Sequence, residues 1–117
     1  MAIGDLTYVN QDGVMLGTSA TTLYTVPSDR HIISLEIILC NVTAASQEVK
    51  AYMVPSGASA STTNAFIFQD ASTALTDGES RAWSSNQFLS AGYIVSALNN
   101  NGTSVNAKFS CVLRHTA

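Results

Sequence analysis

The clearest pattern lies near the end of the chain, where Val105, Ala107, Phe109, Cys111 and Leu113 alternate with Asn106, Lys108, Ser110, Val112 and Arg114. A period of two puts successive side chains on opposite faces, so this segment predicts a half-buried strand. Between residues 32 and 42 one row holds Ile33, Leu35, Ile37 and Leu39, while the other begins with Ser34 and Glu36 and turns apolar at Ile38 and Cys40. That predicts a strand open on one face at its start and covered on both at its end. Residues 48–54 alternate again, with Val49, Ala51 and Met53 against Glu48, Lys50 and Tyr52. Pro55-Ser56-Gly57 then stops the strand, because proline lacks a ladder donor and glycine permits a reversal.

Shorter strands are predicted at 14–16, 23–26, 65–69, 79–84 and 93–98, separated by turn signals at Asp12-Gly13, Pro27-Ser28-Asp29, Asp77-Gly78 and Ala91-Gly92. The run Asn99-Asn100-Asn101-Gly102 reads as a hairpin between two apolar strands. No segment has helical amphipathicity. The fold class is therefore all-β: an antiparallel two-sheet sandwich of about eight short strands, either jelly-roll-like or immunoglobulin-like. Cys40, Trp83 and Cys111 follow the order of an antibody domain, but Trp83 stands too far from Cys40 to lie on the next strand. The jelly-roll-like order is the expectation. The domain is placed at residues 21–117. Residues 1–20 carry Ile3, Leu6, Tyr8 and Val9 beside Gly4 and Asp5, too few for a core element and too apolar for a free tail. They are expected to form an arm docked on a neighbouring subunit. The small-residue stretch 56–64 predicts a long exposed loop.

Composition narrows the function. The chain has 117 residues, enough for one domain, and 46% of them are hydrophobic. Only 11% are charged, against about 25% in an ordinary globular protein. Ser, Thr, Asn and Gln number 39, so hydroxyls and amides rather than ions wet the surface. Such a surface repels its own copies weakly and suits packing on other protein. The net charge is −3 and the five basic residues are scattered, which leaves no cluster to neutralise phosphates. Nucleic-acid binding is not expected. The apolar run Ile37-Ile38-Leu39-Cys40 is far too short for a membrane helix. The first residues lack the pattern of a signal peptide, so synthesis in a cytosol, with Cys40 and Cys111 as reduced core thiols, is expected.

Candidate chemistry is sparse. His31 follows a turn, His115 lies near the end, and no Gly-x-Ser-x-Gly elbow is present, so no nucleophile has an evident base. Cys40 and Cys111 sit on separate strands, without zinc-ligand spacing. Asp77-Gly78-Glu79 reads as a turn rather than a calcium loop. No phosphate-cradling glycine loop fits, and none of the eight acids forms a distinguishable catalytic pair. No enzyme activity, metal or cofactor is expected. Trp83, followed by Ser84-Ser85-Asn86-Gln87, has two readings: a ring filling the sandwich edge, or a platform for a glycan.

The order of these pieces adds a resemblance. Leu23-Tyr24-Thr25-Val26-Pro27, the strand leading into Cys40-Asn41-Val42-Thr43, and the valine-containing strand closing on Pro55-Ser56-Gly57 resemble small β-sandwich structural proteins of tailed bacteriophages. Leu75-Thr76-Asp77-Gly78-Glu79, Trp83, Phe88-Leu89-Ser90-Ala91-Gly92-Tyr93-Ile94 and the terminal strand continue it over residues 22–114. Ser28-Asp29 departs from the glycine expected after Pro27. The resemblance implies a virion structural protein made in the host bacterial cytoplasm. The leading expectation is a capsid decoration, or cement, protein on the outer surface of the capsid, bridging major capsid subunits. The alternative is a tail, fibre or baseplate module with receptor or glycan binding. Homodimers or homotrimers are expected from the surplus of apolar outward positions. The interface is assigned to Ile3, Leu6, Tyr8 and Val9 of the arm and to Ile38, Tyr52 and Val112 on an outer face.

Overall fold

The structure is a computed structural model that describes residues 6–70 and 72–115. Among the described residues there are nine strands: β1 (Leu6–Asn10), β2 (Val14–Met15), β3 (Thr21–Thr25), β4 (Arg30–Asn41), β5 (Val49–Val54), β6 (Ala65–Phe68), β7 (Ser80–Ser85), β8 (Ile94–Asn99) and β9 (Val105–His115). A 3-10 turn, Thr62–Asn64, precedes β6. One sheet, sheet A, has the order β1-β9-β4-β7 with β2 also on β9, and the other, sheet B, has the order β3-β8-β5-β6. All ladders are antiparallel, and first pairs with last: β1 with β9, β3 with β8, β4 with β7, β5 with β6. With β1 and β2 taken as one broken strand, this is the jelly-roll-like winding of eight strands.

The alternation of β9 holds along its length, with Val105, Ala107, Phe109, Cys111 and Leu113 all buried. In β4 the pattern slips once. A bulge between Ile32 and Ser34, opposite Leu113 and Val112, turns Ile32 inward ahead of Leu35, Ile37 and Leu39 and leaves Ile33 only half-buried. The simple row expected from Ile33 onward breaks because one extra residue in the bulge inverts the pleat before it.

The core fills the space between the sheets in two connected groups. One surrounds Leu16, Ile37, Leu39, Val49 and Val105. The other surrounds Val26, Ile32, Leu35, Val95 and Phe109, and Leu23 and Phe66 touch both. Leu16 is fully buried, and Leu6–Asn10 pairs with β9 of the same chain. The described part of the expected arm, residues 6–20, is thus built into the sandwich as the edge of sheet A. β1 leaves little trace in the hydrophobic pattern because an edge strand needs little apolar content: its stability comes from the ladder.

The predicted hairpin at 99–102 is also corrected. β8 and β9 lie in different sheets, so this turn carries the chain across the sandwich. Asp77-Gly78 does the same between β6 and β7. Gly102 at φ 135° and Gly78 at φ 65° supply backbone conformations that side-chain-bearing residues avoid. Buried amides fasten these crossings: Asn41 Nδ2 donates to the carbonyls of Ala45 (2.7 Å), Thr76 (2.9 Å) and Leu75 (3.1 Å), and its Oδ1 accepts from Thr43 N at 3.0 Å.

Candidate interaction surface

The outward positions of sheet A form a continuous face because the four main strands are in direct register. Tyr8 lies opposite Val112, and Val112 opposite Ser34. The next row is Asn10, Ser110, Glu36 and Ser84, and the next is Lys108, Ile38 and Ala82. All of these but Ala82 line an open trough of about 740 Å³. Its floor is apolar at Ile38 and Val112, its wall carries Tyr8, and half of its remaining lining is hydroxyl and amide. Glu36 and Lys108 are its charged members, set diagonally on adjacent strands.

The sequence-assigned residues divide. Tyr8 (76% exposed), Ile38 and Val112 meet in this trough, and Leu6 (37% exposed) stands outward beyond it, opposite Arg114. Val9 is half-buried and packs against the core. Ile3 lies outside the described residues. Tyr52 is the correction: it belongs to sheet B, opposite Ser96, and is only 7% exposed. The alternation placed it off the core row, but the 3-10 turn before β6 lies against β5. Burial pushes its phenol above the ordinary value. The polar lining, including Asn10, Ser34, Ser84 and Lys108, was not assigned from sequence. Its signal was present in the polar rows of β4 and β9, yet only the register shows that the rows adjoin.

Other candidate groups have local partners. Among the described residues, no three His, Cys, Asp or Glu side chains come together as a metal-holding group. The Glu79 carboxylate accepts from Thr76 N (2.8 Å) and from Arg81 Nη2 (2.6 Å) and Nε (2.9 Å), which holds its pKa below the ordinary range, the Thr76 backbone bond contributing most. The His31 ring packs at a tilt of 32° against the exposed ring of Phe88, with centroids 4.5 Å apart, and His115 Nε2 stands 3.7 Å from Asp29. Both cysteines are free thiols; Cys111 is buried, and desolvation pushes it up to about 11. Trp83 is half-buried against the core, with the Arg81 guanidinium 5.9 Å from its ring centre. It borders a cleft of about 200 Å³ between the sheets, with Phe66, Met53 and Leu35 inside and Ser84, Ser85 and Gln87 also lining it.

No family model and no curated protein sequence matches the chain. Solved structures do share its fold. A subunit described with the disulfide-linked pili formed by Bacillus endospore appendages has a TM-score of 0.53 at 12% identity, covering 100% of this chain and 96% of its own. The Tobacco streak virus coat protein, solved as a dimer, has a TM-score of 0.55 at 8% identity, covering 96% and 86%. A second crystal form of that coat protein has a TM-score of 0.52 at 7% identity, covering 97% and 88%. At these identities the likeness establishes the jelly-roll-like sandwich over nearly the whole chain.

Proposed function

We propose that this protein is a non-enzymatic structural subunit of a virion: a decoration protein of a tailed-bacteriophage capsid that self-associates and bridges major capsid subunits on the outer surface. The observation that carries the reading is the trough on sheet A. Folding leaves Tyr8, Ile38 and Val112 gathered on one sheet face, within a lining that holds only one acid and one base. A sheet face with this composition is suited to contact with protein. Repetition of a modest contact over a symmetric shell then multiplies its strength. The fold is shared by a virus coat protein and a pilus subunit, both of which work by assembly, and this adds support to a structural role.

Electron cryo-microscopy of the assembled particle tests the proposal. Density for this sandwich on the outer shell, with sheet A against protein, is the expected result. Density confined to a tail or fibre overturns the decoration reading. The cleft beside Trp83, with Ser84, Ser85 and Gln87 at hand, favours one second reading, a glycan-binding module. Saturable binding on a glycan array that Trp83→Ala abolishes would establish that reading instead.

A further inference from the structure

We propose that β1 is an exchangeable strand: it leaves β9 of its own chain and takes the same place on β9 of a second copy, linking the two. The proposal rests on the self-association reading and names the element that carries it.

Three observations support exchange. β1 is the edge of sheet A and pairs there with β9. Leu6, Thr7, Tyr8 and Asn10 are exposed, and only Val9 is half-buried, so the strand is held mainly by its backbone ladder. A strand so held belongs to the least stable part of a fold. An identical β9 on a second copy offers the same donors, acceptors and register, so exchange restores every ladder bond that it breaks. The third observation is the anchor. Leu16 is fully buried and its N–H donates to the Val105 carbonyl at 2.9 Å, which fixes the chain just beyond β2. Between the strands, Asp12 and Gly13 are exposed and outside any strand, which makes them the hinge. Residues 11–13 reach at most about 10 Å when extended, so the two β9 edges must lie side by side. Reciprocal exchange then closes a twofold dimer. Tyr8 lies on β1 and also walls the trough, so exchange carries the Tyr8 of one copy into the trough of the other and joins the strand contact to the proposed interface.

Disulfide trapping tests this. Gln11 N donates to the Phe109 carbonyl at 2.8 Å. Residues 9 and 111 are therefore a hydrogen-bonded pair, and Tyr8 and Val112 the closer, non-hydrogen-bonded kind. Cα atoms in such a pair are about 4.5 Å apart, within disulfide range. In a Cys40→Ser, Cys111→Ala background, the full chain carrying Tyr8→Cys and Val112→Cys is oxidised after assembly and run on a non-reducing gel. Covalent dimer as the main species is expected, and monomer alone overturns exchange. Should the double variant fail to fold, a mixture of the two single variants, one enlarged by a tag, gives the same reading: a mixed-size disulfide dimer supports exchange and its absence overturns it. Removal of residues 2–10 separates the two proposals. A dimer that persists in the truncated chain overturns exchange and keeps the trough as the interface. A full chain that is monomeric at every concentration overturns both.

Discussion

Asn99 Nδ2 donates to Gln47 Oε1 at 2.8 Å, and both side chains are buried where β8 ends and the β4–β5 loop runs into β5. Asn99 Oδ1 in turn accepts from Asn101 N at 3.1 Å. The pair holds the loop to the turn that sends the chain from sheet B to sheet A. Asn99→Ala leaves Gln47 Oε1 buried without this donor. A loss of about 2–3 kcal/mol in urea unfolding is expected. A loss below about 0.5 kcal/mol, in the range of ordinary surface changes, would show that the crossing is held by its backbone bonds alone.

Ile38→Asp and Val112→Asp put charge on the trough floor while leaving the core row of β4 and β9 intact. Each should weaken self-association at least about tenfold, as loss of an interface anchor does, with unfolding free energy changed by no more than about 1 kcal/mol. Sedimentation velocity together with urea unfolding reads both. Equal association constants for variant and parent would remove sheet A as the interface.

Ser96 Oγ is buried and has no hydrogen-bond partner among the described residues. A hydroxyl in that position opposes folding, since water satisfies it in the unfolded chain. Ser96→Ala is expected to leave stability unchanged or raise it by about 1 kcal/mol, measured by thermal and denaturant unfolding. A clear destabilisation would mean that the oxygen has a partner.

Burial raises the Cys111 thiol from 9.0 to about 11. The folded chain therefore holds this proton more tightly than the unfolded one. The resulting stability is complete below pH 9 and declines as pH rises through about 11. Tyr24 and Tyr52, both raised chiefly by burial, act in the same direction. Unfolding midpoints should fall between pH 9 and 11, and Cys111→Ala should reduce the fall. At pH 8 an aromatic disulfide reagent should modify half-buried Cys40 before Cys111. Equal rates in the native protein would contradict the burial of Cys111.

The sequence determined the strands and their faces wherever one face had to be covered. Val105 to Leu113 alternate without interruption because a sheet pressed on another sheet tolerates nothing else, and that constraint is written residue by residue. Residues 49–54 and 93–98 were legible as strands, but not their faces, since both β5 and β8 bury consecutive residues. Tyr8, Ile38 and Val112 could be chosen as apolar residues off the core row, but not as neighbours. Adjacency depends on which strands pair, and here the pairs join residues as far apart as 8 and 112. Periodicity carries no information on so distant a partner. The turn at Asn99-Asn100-Asn101-Gly102 marked a reversal correctly, yet a local signal does not say whether the chain returns in the same sheet or crosses to the other. That choice followed from burial of the whole chain, as did the cover over Tyr52 and the bulge at Ile32. β1 was hidden most completely: with almost nothing to bury, its place at the sheet edge was decided by the free donors and acceptors of β9 alone.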